Sequence, residues 1–376
     1  MFLMNRKQMQ RMAISPRPMG IGARRSGGPV GVSTSRRPGW VGRSPMRAAR
    51  PCERSRQDGL HYLGVNEYAK WDALVAVSPQ GSLFSKSWWL EAIGGEIRIL
   101  GYYESGRLIA GIPLYFERRM GVRVCCMPKL TQTWGVVVEP LPGKRVNAAA
   151  HEMRILGTFA RRLAEERVFF QAFHPANQNW LPFYWNGFRQ TTHFTYVLDN
   201  LQDLGRVWDG LEQNARTKIR KAQKLGLVVK RCGPELVFNA SVQSFERQKK
   251  PHPFSREYFE RLFNSAKSND AGECFAAVDS EGRVHDAVLL VWDCKRTYFL
   301  AGGGDSSLRN SGGGSLLVWH CLQFAAFRSR VFDFEGSMLE PVQTFFRSFG
   351  ATQVAYNRIM KFPAWLRACL CVAGKL

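Results

Sequence analysis

Apolar residues follow two spacings along the chain, and both begin only after about residue 58. Residues 65–76 place apolar side chains three and four apart, which predicts a helix. Ser82 to Ile93 opens a second helix, with Ser85 or Ser87 as the candidate cap, because a hydroxyl oxygen can accept from the free N–H groups of a first turn. Between Arg98 and Cys126 the spacing shortens towards two and predicts three strands, with turns at Ser105–Gly106 and around Met120–Gly121.

This strand block recurs. Ile99 to Val124 can be laid on Phe275 to Leu300 with a constant offset of 176, so that Gly106 and Arg107 fall on Gly282 and Arg283. Each copy is followed by a helical run, 147–166 in the first and 315–329 in the second, and then by a short apolar strand. A second helix-to-strand passage follows, through Phe183–Phe188 in one copy and Phe345–Gly350 in the other. Equal element order with weak identity predicts two α/β domains of one architecture in tandem. The boundaries expected are 1–58 for a disordered basic segment, 59–200 and 201–363 for the two domains, and 364–376 for a tail.

Charge changes this picture mainly at the N-terminus. The formal net charge is +23, but residues 1–58 hold thirteen Lys or Arg against Glu53 and Asp58, which leaves +12 for the rest. The first segment is rich in Arg, Pro, Gly and Ser without helical or strand periodicity, and reads as disordered. A transit peptide, a nucleic-acid arm, or an early start with Met46 as the true initiator are its alternatives. The remaining basicity favours phosphorylated or polyanionic partners. No apolar run approaches the roughly 20 residues that span a bilayer. Nine cysteines form no C-x-x-C pair, and the seven histidines are scattered, so neither a zinc site nor a disulfide framework is expected. A reducing cytoplasm fits best.

Three constellations carry chemistry. Arg309-Asn-Ser-Gly312-Gly313-Gly314-Ser315 lies between a predicted strand, 297–302, and a predicted helix. A glycine-rich strand-to-helix turn lets backbone N–H groups approach an anion, and the helix N-terminus adds about half a positive charge. Phosphate is the natural ligand, although no Lys follows as in a Walker loop and the spacing is not G-x-G-x-x-G. Asn214 to Gly226 reads as a helix with Leu211, Ala215, Ile219, Ala222 and Leu225 as its apolar stripe. Arg216, Arg220 and Lys224 line another face, either as an anion site or as a solvated face. At the end of an apolar strand, Asp333 and Glu335 alternate with Phe332 and Phe334, as candidate general bases or as caps of the following loop.

R-x-x-G-x-G between a strand and a helix resembles the pyrophosphate loop of GNAT-fold N-acetyltransferases, with Arg309, Gly312 and Gly314 on its fixed positions. Together with Asn214–Gly226, Phe332–Gly336 and Phe345–Gly350, it resembles the Fem-like branch, which duplicates the GNAT fold. That branch includes peptidoglycan-bridge aminoacyl transferases and cell-envelope acyltransferases. The similarity covers residues 59–363 and implies an α/β (α+β) protein of two tandem GNAT-like domains, each a mixed central sheet flanked by helices.

What the resemblance implies is acyl transfer from an acyl-coenzyme A co-substrate, without metal, to an amine or hydroxyl of a small-molecule or envelope-precursor acceptor. Arg309, Gly312, Gly313, Gly314 and Ser315 would hold the donor phosphates. Asp333 or Glu335 would take the proton, and Arg216, Arg220 and Lys221 would hold an acidic acceptor. No coiled-coil insertion of the peptidoglycan-bridge type is visible, so aminoacyl-tRNA is the second choice of donor, and a non-catalytic binding protein the third reading. His285 and Asp286 lie on the strand that corresponds to the floor of the acyl tunnel. Trp134, Trp292 and Tyr298 are aromatic residues for core or acceptor groove. Cys274, Cys294 and Cys321 have no paired base in sequence.

Overall fold

In the computed structural model, residues 57–366 are described except 120, 141, 142, 337 and 365. The expectations for residues 1–58 and 364–376 lie almost wholly outside them. The first half of the chain runs β1 Gly59–Tyr62, α1 Tyr68–Val77, α2 Ser87–Ile93, β2 Glu96–Glu104, β3 Arg107–Arg119, β4 Val122–Cys126 and β5 Val137–Val138. It continues through α3 Arg145–Leu163, β6 Phe169–Ala172, α4 Leu181–Trp185 and β7 Arg189–Leu198. The second half opens with two helices, α5 Leu204–Asp209 and α6 Gln213–Lys224. It then runs β8 Val228–Arg231, α7 Pro234–Arg247, α8 Arg256–Ser268, β9 Gly272–Val278, β10 Val284–Trp292 and β11 Arg296–Gly304. It ends with α9 Gly313–Ala325, β12 Val331–Asp333, α10 Glu340–Arg347 and β13 Thr352–Lys361.

The strands form a single sheet in the order β1-β2-β3-β4-β6-β13-β7-β12-β11-β10-β9-β8, with β5 beside β3. The last strand of each half sits against the other half. β7 pairs with β12 and β13 pairs with β6, and the two exchanged strands join through an antiparallel register from Thr352↔Val197 to Met360↔Arg189. The turn at residues 199–203 separates the halves in sequence, while the sheet interleaves them.

The core repeats that message. One apolar cluster combines Trp71, Phe84, Trp89 and Trp134 of the first half with Val237, Phe259, Leu262 and Leu289 of the second. Each such fully buried side chain contributes roughly 1.5–3 kcal/mol. Arg261 on α8 donates to the carbonyls of Ala92 at 2.6 Å and Ile93 at 3.0 Å, groups that end α2 without intrahelical partners.

Two local expectations are corrected. Neither Ser85 nor Ser87 caps α2: its cap position is Lys86, and Asp72 of α1 instead accepts from Ser87 N at 2.8 Å and Ser87 Oγ at 2.6 Å. A carboxylate from a neighbouring helix meets the same free N–H groups more strongly than a hydroxyl. On α6, Leu211, Ala215, Ile219 and Ala222 are buried as the stripe requires. Leu225 is 54% exposed, because it is the C-cap and Gly226 turns the chain away at φ +76°.

Candidate functional site

β11 is paired on both sides only at its start. On the β12 side the parallel ladder covers Arg296, Thr297 and Tyr298, and then β12 ends at Asp333. Residues 299–304 continue with β10 alone, so the edge facing the opening carries backbone groups that no strand satisfies. A bulge between Leu289 and Leu290 twists this stretch further from its neighbour. Gly302, Gly303 and Gly304 end the strand, and at each a Cβ would meet backbone carbonyl oxygen at 2.4–2.6 Å. Only glycine lets the chain lie so close.

The glycine-rich loop follows directly. Arg309–Ser311 forms one tight turn, Gly312 takes φ +84°, and α9 begins at Gly313 with its free N–H groups facing the loop. Arg309 is exposed and makes no hydrogen bond or ion pair among the described residues. Ser315 is buried in the first turn of α9. A 390 Å³ pocket lined by Gln243, Glu246 and Arg247 of α7 and by Gly304, Asp305 and Ser306 opens at the end of β11. This arrangement can hold an anion at the loop and an extended chain along β11.

The structure brings α6 to this loop. A Cβ on Gly312 would stand 2.3 Å from the Lys218 carbonyl oxygen, and Lys221 Nζ donates to Asn310 O at 2.6 Å. Arg216 reaches Asp209 O at 3.4 Å and Gln213 Oε1 at 3.1 Å, while the Arg220 guanidinium lies 5.7 Å from the Trp208 ring. None of the three shares a hydrogen bond or ion pair with Asp333 or Glu335 among the described residues.

Asp333 and Glu335 have separate surroundings. Asp333 is fully buried, and its carboxylate accepts from Arg296 Nη1 at 2.5 Å, Gln132 Nε2 at 3.3 Å, the Thr195 hydroxyl and the Glu335 N–H at 2.8 Å. Both of its oxygens are occupied. Glu335 departs from the strand alternation, with φ +54°, an uncommon conformation for a residue with a side chain. Its Oε1 is closed to solvent and has no partner among the described residues. Burial, with the Asp333 charge behind it, pushes the Glu335 carboxyl well above the usual carboxylate range.

His285 Nδ1 lies 2.8 Å from Ser311 Oγ and its Nε2 3.1 Å from Asp279 Oδ2. Burial pushes the neighbouring Asp286 carboxyl up to about 7. Trp134 and Tyr298 are buried to 1% exposure in the shared core, and Trp292 packs in the core of the second half. Burial raises the Cys274 and Cys321 thiols, which leaves them protonated, while Cys294 is exposed. Gln132, Thr195, Asp279 and Ser311 take part in these networks unannounced by local sequence. His174 is held down to about 3 by burial and by the Arg296 and Lys295 charges, so it is a neutral imidazole.

Residues 211–338 match the family described as Acetyltransferase (GNAT) domain. This part of the chain is a GNAT acetyltransferase domain. No curated protein matches the sequence. Among solved structures, FemX is 14% identical with a TM-score of 0.58, over 79% of this chain and 96% of that one. L-PGS from Bacillus licheniformis is 12% identical with a TM-score of 0.50, over 81% and 95%. A conserved protein of unknown function from Bacteroides thetaiotaomicron VPI-5482 is 9% identical with a TM-score of 0.50, over 82% and 100%. At these identities the likeness is one of fold: a mixed sheet flanked by helices in the arrangement of FemX. The matched family is one of acetyltransferases, which supports acyl transfer by this part of the chain. No helix among the described residues is long and apolar enough to cross a membrane.

Proposed function

We propose that the chain transfers an acyl group from an acyl-coenzyme A to a primary amine, with the donor along the free edge of β11 and its phosphates in the Arg309–Ser315 loop. The observation that carries this reading is the unpaired run of β11 from Phe299 to Gly304, which leads straight into a glycine-rich helix N-terminus. In this reading Arg309 and the N–H groups around Gly312 and Gly314 meet the diphosphate, while the Gly313 N–H holds Ser311 Oγ at 3.1 Å. Free N–H groups of β11 stabilise the oxyanion as the carbonyl is attacked. Glu335, whose Oε1 has no partner among the described residues and whose affinity for protons is raised, takes the proton from the attacking nitrogen as the C–S bond breaks and the thiolate leaves. An N–H of the amine would satisfy the buried Oε1 of Glu335, which has no partner among the described residues. Asp333 then serves to orient, since its four donors leave no room for a substrate proton. We assign Lys221 to bracing the donor loop, and Arg216 and Arg220 to the charge around it.

Calorimetry with coenzyme A tests the donor half of this reading. Arg309→Ala is expected to weaken binding at least about tenfold, the worth of a charge-assisted hydrogen bond. Equal affinity in the two proteins overturns the loop assignment.

A second donor, aminoacyl-tRNA, is favoured by one observation: α6 sets Arg220, Lys221 and Lys224, all exposed, beside the same loop. RNA retained on the purified protein and released steeply by salt supports that donor. Thiol release from an acyl-coenzyme A without RNA supports the first. An envelope precursor is the proposed acceptor in either case.

A further inference from the structure

A bulge in β10 arms the underside of the donor loop. The register of β10 against β9 slips between Val284 and Asp286. A regular strand sends consecutive side chains to opposite faces, and a bulge re-aims them. Here both end beneath the loop: His285 Cβ lies 2.7 Å from where a Cβ on Gly313 would stand, and Asp286 Oδ2 lies 2.7 Å from the same point on Gly314. His285 is also the middle of a hydrogen-bonded line from Ser311 in the loop to Asp279 in the β9–β10 turn. Asp279 is fixed by Arg283 Nε at 2.7 Å and by the N–H groups of Glu281 and Arg283 at 3.1 and 2.9 Å. Ser311 Oγ accepts the N–H of Gly313 at 3.1 Å. Burial alone would raise the Asp279 carboxyl, yet hydrogen bonds from Arg283 and His285 hold it well below the usual range.

We propose that His285 is a positioning residue of the donor loop, acting through Ser311, and that it takes up a proton when an anionic donor binds. The inference rests on reading the loop as a phosphate site. With Asp279 ionised, imidazole Nε2–H donates to it in either protonation state. A neutral His285 presents a bare Nδ1, which takes the Ser311 hydroxyl proton and turns it into the protein. A protonated His285 presents Nδ1–H instead, which Ser311 Oγ accepts. The hydroxyl proton then points out of the loop, where a phosphate oxygen accepts it. One protonation thus adds a donor and a positive charge to the anion site, and by linkage a bound anion favours the protonated imidazole. Donor binding tightens as pH falls.

The charged groups around His285 are Asp279 and Arg283 from the turn, Asp286 along the strand, Asp305 and Lys221. The Asp305 N–H donates to His285 O at 3.2 Å, and Lys221 braces Asn310 from α6. Asp286, pushed up to about 7, adds pH dependence of the same sign, so the test carries Asp286→Asn in every protein compared.

Full-length protein is titrated calorimetrically with coenzyme A in buffers of different ionisation enthalpy, which counts the protons taken up. The expected result is uptake of up to about one proton, with affinity falling about tenfold from about pH 6 to 8. His285→Gln should abolish the uptake and flatten the profile. Ser311→Ala, a change in the loop that spares the buried strand, should at least halve the uptake if His285→Gln does not fold. Undiminished uptake in either variant overturns the inference. If Arg309→Ala weakens binding in the same series, the donor reading survives that outcome. No coenzyme A binding by any of the proteins overturns both.

Discussion

The two halves of the sheet share a plan and differ in one opening. The offset of 176 carries β2 onto β9, β3 onto β10 and β4 into β11, and Gly106 and Gly282 turn the two hairpins with φ of +70° and +80°. In the second half β11 runs unbroken to Gly304 and keeps a free edge beyond Tyr298. In the first half the equivalent strand stops at Cys126, residues 127–136 leave β3 with Trp134 bridging in parallel to Phe173 beside β6, and Val137–Val138 resumes the pairing with β3. That excursion fills the gap. Trp134 N–H donates to Ala172 O and its carbonyl accepts from His174 N–H, both at 2.7 Å, and its indole Nε1 donates to Phe84 O at 2.8 Å. Between β5 and α3 there is Glu139-Pro-Leu-Pro-Gly-Lys144 in place of the glycine triplet. Buried backbone groups need partners. One half finds them in its own chain, and the other leaves one edge of β11 without a strand partner among the described residues.

The comparison is sharpened most by the carboxyl at the open cleft. Glu335→Gln should lower transfer to an amine about 10²–10⁴-fold, the usual loss of a general base, with coenzyme A affinity unchanged. Because the Glu335 carboxyl is held above its usual range, wild-type activity should rise with pH as it ionises, and the variant should lose that limb. Thiol release from acetyl-coenzyme A across pH measures both. A wild-type rate in the variant removes Glu335 from the chemistry. In the closed cleft the expected loss is of stability: Trp134→Ala should cost about 3–5 kcal/mol in urea unfolding, the range for a buried aromatic. It should not create a second coenzyme A site, since the first half has no glycine loop to bind the phosphates. Two equivalents bound by that variant would break the contrast drawn here.

A smaller effect concerns the floor of the donor loop. The folded Asp286 carboxyl is raised from 3.8 to about 7, so the folded protein holds a proton there that the unfolded chain releases above about pH 4. Stability from this group is therefore full below about pH 4 and is lost as pH rises to about 7. Asp286→Asn should add on the order of 1–3 kcal/mol at pH 8 and nothing at pH 4, discounted for the partial exposure of the site. Thermal melts at the two values test the sign.

The repeat, the loop and the basic helix were legible in the sequence because each is written locally. Glycines at fixed offsets, a stripe at helical spacing and a period near two need no partner to be recognised. The exchange of β7 and β13 was not legible, since both strands have the same alternation whichever half they join. Nor was the difference between Asp333 and Glu335, which alternation places on one face. Arg296, Thr195 and Gln132 converge on Asp333 from three separate segments, and after the backbone reversal at Glu335 its Oε1 has no partner among the described residues. The place of Lys221 against Asn310 is likewise a tertiary fact: a cationic face shows what it attracts but not where it docks.

The smallest prediction tests whether the closed cleft serves the open one. Gln132 belongs to the excursion that seals the first half, yet its Nε2 reaches Thr195 Oγ1 at 3.2 Å and Asp333 Oδ1 at 3.3 Å in the network behind Glu335. Gln132→Ala should cost about 1 kcal/mol in unfolding, the net worth of such hydrogen bonds. If its role is to hold Asp333, and through the Asp333–Glu335 N–H bond the reversed backbone of Glu335, it should also lower the transfer rate without changing coenzyme A affinity. A double-mutant cycle with Asp333→Asn separates the two accounts. Coupling of at least about 0.5 kcal/mol in the rate makes the first-half excursion part of the second half's site. Additive losses leave it a plug alone.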